Sequence, residues 1–119
     1  PADSSAVRGG GGALASVDLR FEDRPDGAVS VLRAADGGVV AVLAPGTEGF
    51  MRATVRSLTR DRRLGDHGRE APFRLASWPG GGLSLEDLAT GRTLDLRAFG
   101  STQTEAFARL LPTGEETKR

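Results

Sequence analysis

Cysteine is absent from this chain, which excludes disulfides, zinc thiolates and thiol nucleophiles together. The same absence is compatible with a reducing or an oxidising compartment, so redox chemistry does not place the protein. Tyrosine is absent too, and the aromatic side chains are five phenylalanines and one tryptophan. Most of the phenylalanines fit a core pattern, which leaves no platform for stacking bases and argues against a nucleic-acid partner. One histidine, His67, lies in a Gly/Asp/Arg loop with no second imidazole to share a metal, and reads as an exposed loop residue. Net charge is missing as well: 16 basic residues balance 16 acidic ones, so no overall field draws the chain onto a polyanion or an anionic membrane. The longest apolar run, residues 39–44, is far below the roughly 18 residues that cross a bilayer.

Catalytic constellations are equally scarce. Glu86 and Asp87 are adjacent on a strand end and point to opposite faces, the wrong arrangement for acid and base work on one substrate; a turn role is expected. The glycine runs at 9–12 and 80–82 lack the strand-to-helix context and the Lys-Ser/Thr of a phosphate cradle, and read as linker and turn. No cofactor or metal site is expected, and the chain reads as a non-enzyme.

What the chain does have is a pattern that occurs twice. Residues 20–47, RFEDRPDGAVSVLRAADGGVVAVLAPGT, overlay residues 74–101, RLASWPGGGLSLEDLATGRTLDLRAFGS, without a gap. Arg20, Pro25, Gly27, Ser30, Gly37 and Gly46 fall on Arg74, Pro79, Gly81, Ser84, Gly91 and Gly100, and Val29, Val31, Val40 and Val42 fall on leucines. Repeats of this length mark a supersecondary unit used more than once. The expected fold is therefore α+β: two βββα repeats, each an antiparallel three-stranded meander plus a helix, related by approximate two-fold pseudosymmetry.

Local signals supply the boundaries. Residues 1–16 are small, polar and glycine-rich and read as a flexible linker, with a single domain at 17–112 and a disordered tail at 113–119. Repeat one spans 17–64 and repeat two 72–112. Val17, Leu19 and Phe21 alternate with polar residues as in a half-buried strand; Pro25-Asp26-Gly27 turns into a strand with Val29 and Val31 inward. Asp36-Gly37-Gly38 closes a hairpin into a third strand, expected to be central or covered with Val40 and Val42 on its core face. Thr47 is positioned to cap a helix running to Leu64, with Glu48 against the positive end of its dipole. In the second unit Leu94 and Leu96 pattern the last strand, and Thr102 with Glu105 forms a capping box for a helix bearing Ala106, Phe107, Leu110 and Leu111. Trp78, before a Pro-Gly turn, either folds over the core edge or stands exposed as an interface anchor.

The first helix carries the one charge pattern that invites a functional reading. At about 100° per residue, Met51, Thr54, Val55 and Leu58 share one side and Arg52, Arg56, Arg60 and Arg63 the opposite side. Guanidinium forks pair with carboxylates or phosphates in two-point contacts, so the stripe suits an acidic protein surface or lipid headgroups. It is equally compatible with a solvated face whose last arginines complement the helix C-terminus.

Several stretches in order carry a family resemblance: Phe21-Glu22-Asp23-Arg24-Pro25-Asp26-Gly27, Pro45-Gly46-Thr47-Glu48-Gly49-Phe50-Met51-Arg52, Pro72-Phe73-Arg74-Leu75, Leu83-Ser84-Leu85-Glu86-Asp87 and Phe99-Gly100-Ser101-Thr102. With Ala106-Phe107-Ala108-Arg109-Leu110-Leu111 they resemble the PuhC family of photosynthetic complex assembly proteins over about residues 17–111. The resemblance implies a noncatalytic assembly factor of anoxygenic phototrophic bacteria. Its expected partners are reaction-centre and light-harvesting 1 subunits. It also implies one N-terminal transmembrane helix, absent from this sequence, which begins at Pro1 without an initiator methionine, and a globular part on the periplasmic side of the photosynthetic membrane. The alternative expectation is a lipid-headgroup-binding domain at the membrane surface.

Overall fold

The computed structural model of the chain describes residues 12–112. The expected linker over 1–11 and the tail at 113–119 lie outside the described residues. Order begins earlier than the sequence pattern implies, because strand β1 (Ala15–Asp23) starts two residues before Val17 and Leu14 N–H already donates to Ser77 O at 2.7 Å. That end of β1 is held by a partner strand distant in sequence, a cause that local alternation does not register.

The remaining elements are β2 (Val29–Arg33), β3 (Val39–Leu43), α1 (Gly49–Leu64), β4 (Phe73–Trp78), β5 (Gly82–Asp87), β6 (Thr93–Asp95), a 3-10 turn (Leu96–Phe99) and α2 (Ser101–Ala108). The six strands form one antiparallel sheet in the order β3-β2-β1-β4-β5-β6. The fold is α+β, and both meanders join through the β1–β4 pairing rather than packing as two sheets. Alternation decides the faces: Val17, Leu19 and Phe21 on β1, Phe73 and Leu75 on β4, and Leu83 and Leu85 on β5 point to one side. Met51 and Leu58 from α1 and Phe107 and Leu110 from the α2 segment meet them in one continuous core. Both helices therefore cover the same face, and the other face carries polar side chains such as the Asp18–Arg74 ion pair (2.8 Å) across the central strands.

Turn geometry recurs at an interval of 54 residues. Gly27 and Gly81 have φ of 91° and 90°, and each N–H donates to a carbonyl three residues back, Arg24 O at 3.0 Å and Trp78 O at 3.1 Å. Gly37 and Gly91 donate to Arg33 O and Asp87 O at 2.7 and 2.8 Å. Ser30 and Ser84, both buried, accept from Arg24 Nε and Trp78 Nε1 respectively. Trp78 thus lies over its own hairpin, its indole N–H satisfied by Ser84 at 2.9 Å.

Three local expectations are corrected. First, β3 is an edge strand, and Val42 is 47% exposed rather than on the core face. The β2–β3 register shifts between Val31 and Leu32, so that Val31 opposes Ala41 while Leu32 opposes Val39. Val40 is the extra residue of this bulge, and the shift turns Ala41 and Leu43 inward. Second, neither expected helix cap forms. Residue Glu48 precedes α1 in a left-handed conformation (φ 53°) without a side-chain cap, while Thr47 Oγ1 donates backwards to Ala44 O at 2.6 Å. Gly100 precedes α2, and Thr104 Oγ1, not Thr102, makes the anchoring bonds, to Gly100 O at 2.9 Å and Leu96 O at 3.1 Å. Third, Leu96 leaves the strand to open the 3-10 turn, where the Asp95 carboxylate accepts from Arg97 N–H at 3.1 Å and Leu96 itself is fully buried.

Candidate binding groove

Helix α1 is where charge and geometry meet, and its arginines divide into three kinds. Arg52 is a structural clamp. Its guanidinium donates to Thr47 O, to Gly27 O at 3.2 Å, to Leu43 O at 3.1 Å and to Ala44 O at 2.6 Å, gathering the end of β3 and the first turn onto the helix start. Arg62 is buried. It meets Asp87 at 2.7 Å with both side chains nearly inaccessible (6% and 0%), and its guanidinium carbon lies 4.2 Å from the centre of the Phe73 ring. Asp87 also accepts from Ala89 N–H at 2.8 Å, which makes it both a turn residue and the buried counter-charge. Arg56, Arg60 and Arg63 are exposed and have no hydrogen bond or ion pair among the described residues.

The stripe of four named by helical spacing is therefore one clamp and three guanidiniums that are free among the described residues. The Arg62–Asp87 pair escaped the sequence reading, although a signal was present. Arg62 sits four residues after Leu58 on the core side of α1, and Asp87 continues the inward alternation of Leu83 and Leu85. Two opposite charges on core faces of different elements can be buried only together. The helix end is pinned further by the Asp61–Arg92 ion pair and by backbone bonds from His67 N–H to Arg62 O at 2.7 Å and Asp66 N–H to Arg63 O at 3.1 Å.

Between α1, the second half of β1 and the loop before β4 runs a groove of about 870 Å³. Phe21, Val29, Leu43, Met51, Val55 and Phe73 supply its apolar floor. Its walls carry six arginines (Arg20, Arg52, Arg56, Arg62, Arg63 and Arg69) against two acids, Glu22 and Asp23. Arg20 is engaged by Glu70 O, leaving Arg56, Arg63 and Arg69 as the cations without a partner among the described residues. His67 is exposed at one end, and Arg60 lies outside the groove. Side-chain pKa values are displaced at Asp36 and Arg74, both outside the groove. The hydrogen bond from Arg33, aided by Gly38 N–H, holds the Asp36 carboxyl below its ordinary value, and the bond to Asp18 raises Arg74. Among the described residues no three histidine, cysteine or acidic groups gather as a metal site, and no helix is long and apolar enough to cross a membrane.

The family model described as photosynthetic complex reorganisation protein PuhC matches residues 14–116. The chain belongs to the PuhC family. No curated protein and no solved structure matches it. The PuhC match spans all six strands, both helices and every residue of the groove. Membership ties the protein to the reorganisation of photosynthetic complexes, an assembly-type role.

Proposed function

We propose that this PuhC domain is a noncatalytic interaction module for the assembly of the reaction centre with its core light-harvesting complex. In the full-length protein an N-terminal membrane helix would hold it on the periplasmic side of the photosynthetic membrane. The observation that carries this reading is a set of guanidiniums on α1 without partners among the described residues: Arg56, Arg60 and Arg63 project from a helix fixed to the sheet by Arg52, Arg62 and Asp61. Free arginine forks on a rigid element suit carboxylates of a partner, with little ordering cost on binding. The recurrence of turns and buried serines at 54-residue spacing supports reading the scaffold as a duplicated βββα unit with two-fold pseudosymmetry. Its second helix is shortened and carries no such stripe.

The test is the Arg56→Gln/Arg60→Gln/Arg63→Gln variant of the full-length, membrane-anchored protein. Thermal unfolding should be nearly unchanged, and co-purification with reaction-centre subunits should fall; intact co-purification removes the stripe from the mechanism. The same exposed arginines suit lipid phosphates as the second reading. Flotation with liposomes that contain or lack anionic lipid separates the two.

A further inference from the structure

We infer that the groove beside α1 binds an extended, acidic and partly apolar segment of a partner polypeptide, laid along the second half of β1. The inference rests on the reading of the α1 arginines as a partner-binding face, and it names the kind of partner surface that face takes.

Three observations converge on a polypeptide. The first is charge. Arg56, Arg63 and Arg69 face the groove and form no ion pair among the described residues, although Glu22 and Asp23 also line it, while the floor beneath them is apolar. A ligand must therefore bring both anionic and apolar groups. The second is spacing. Arg56 and Arg63 are seven residues apart on one helix, about 10 Å along its axis, which suits anionic groups in series better than one phosphate. The third is an open strand edge. β1 pairs with β4 only from Ala15 to Leu19, and with β2 only from Leu19 to Asp23. Residues 20–23 thus have β2 on one side and no strand on the other, and all four line the groove. Unpaired strand backbone is a template for an added strand; every second side chain, on the α1 side of the sheet, would meet the arginines of α1 and the floor around Phe21 and Val55, so anionic and apolar groups must share that face. A lipid headgroup uses the cations but leaves this backbone edge idle.

The probe is an eight-residue peptide of repeating Glu-Ser-Val-Ser, which puts glutamate and valine on one strand face, measured by fluorescence anisotropy against the protein, with a peptide carrying lysine in place of glutamate as control. Binding should weaken roughly tenfold in Arg56→Gln/Arg63→Gln and fall with added salt, as charge-assisted contacts require. Thr59→Glu, which puts a carboxylate into the groove wall, should weaken it similarly, whereas Arg109→Gln, an exposed arginine outside the groove, should leave it unchanged. Hydrogen exchange should show peptide-dependent protection of backbone amides in residues 20–23. Equal binding of the lysine peptide, equal loss in Arg109→Gln, or no protection at 20–23 overturns the inference. Binding of phosphatidylglycerol vesicles that depends on Arg56 and Arg63, with no peptide binding, overturns it in favour of lipid. Failure here is separable from failure of the assembly reading. Lost co-purification in the triple variant without peptide binding leaves the assembly role standing and removes the groove; peptide binding with intact co-purification does the reverse.

Discussion

Asp87 shows how much one side chain can decide. Its carboxylate is inaccessible and is met by Arg62 and by Ala89 N–H, so removing it strands a guanidinium under the helix. Asp87→Ala should destabilise the domain by about 3–5 kcal/mol in urea unfolding, the range for an orphaned buried charge. Asp61→Ala, which breaks a half-exposed pair with Arg92, should cost no more than about 1 kcal/mol. The two aspartates are indistinguishable by composition; only burial separates them. Asp36 gives a pH prediction. Its folded value lies below the ordinary 3.8, because Arg33 and Gly38 N–H favour the carboxylate. Its contribution to stability is complete above that ordinary value and is lost as pH falls through the lower folded one. Carboxyl-carbon NMR should find Asp36 titrating below 3.8, and Arg33→Gln should move the midpoint back up.

At the scale of elements, the alternation of strands was readable and the helix starts were not. Val17, Leu19, Val29, Val31, Leu83 and Leu85 fall on the core face as their spacing requires, and α1 ends at Leu64. Capping signals misled because the turns before each helix were already occupied by other bonds. Thr47 turns back to Ala44, and Thr104 reaches Leu96 and Gly100 from inside α2. The expected consequence is a reversal of the capping-box arithmetic: Thr102→Ala should change stability by less than about 0.5 kcal/mol, and Thr104→Ala should cost about 1 kcal/mol, read from thermal midpoints. The arginine stripe was likewise legible as a pattern but not as chemistry. Helical spacing places Arg52, Arg56, Arg60 and Arg63 together, but the carbonyls that take up Arg52 come from β3 and the turn after Asp26, as many as 25 residues away.

For the molecule as a whole, one core joins both halves, because residues from Val17 to Leu110 belong to a single buried cluster and β1 and β4 are paired at the centre of one sheet. Unfolding should therefore be a single cooperative transition: the far-ultraviolet signal and the fluorescence of Trp78, the lone tryptophan, should share one midpoint, and separated midpoints would show that the halves melt independently. The balance of 16 positive and 16 negative charges hides a local excess that appears only when α1, β1 and the loop before β4 are brought side by side. The sequence by itself determined the strand and turn pattern, the helix that bears the arginines and the family, because these depend on neighbours within a few residues or on order along the chain. Tertiary structure decided which arginines are free, which carboxylate is buried, that β3 is an edge, and that a groove with an open strand edge exists. Each of those depends on groups that meet only when distant segments pack, and neither the periodicity of one segment nor its composition carries that information.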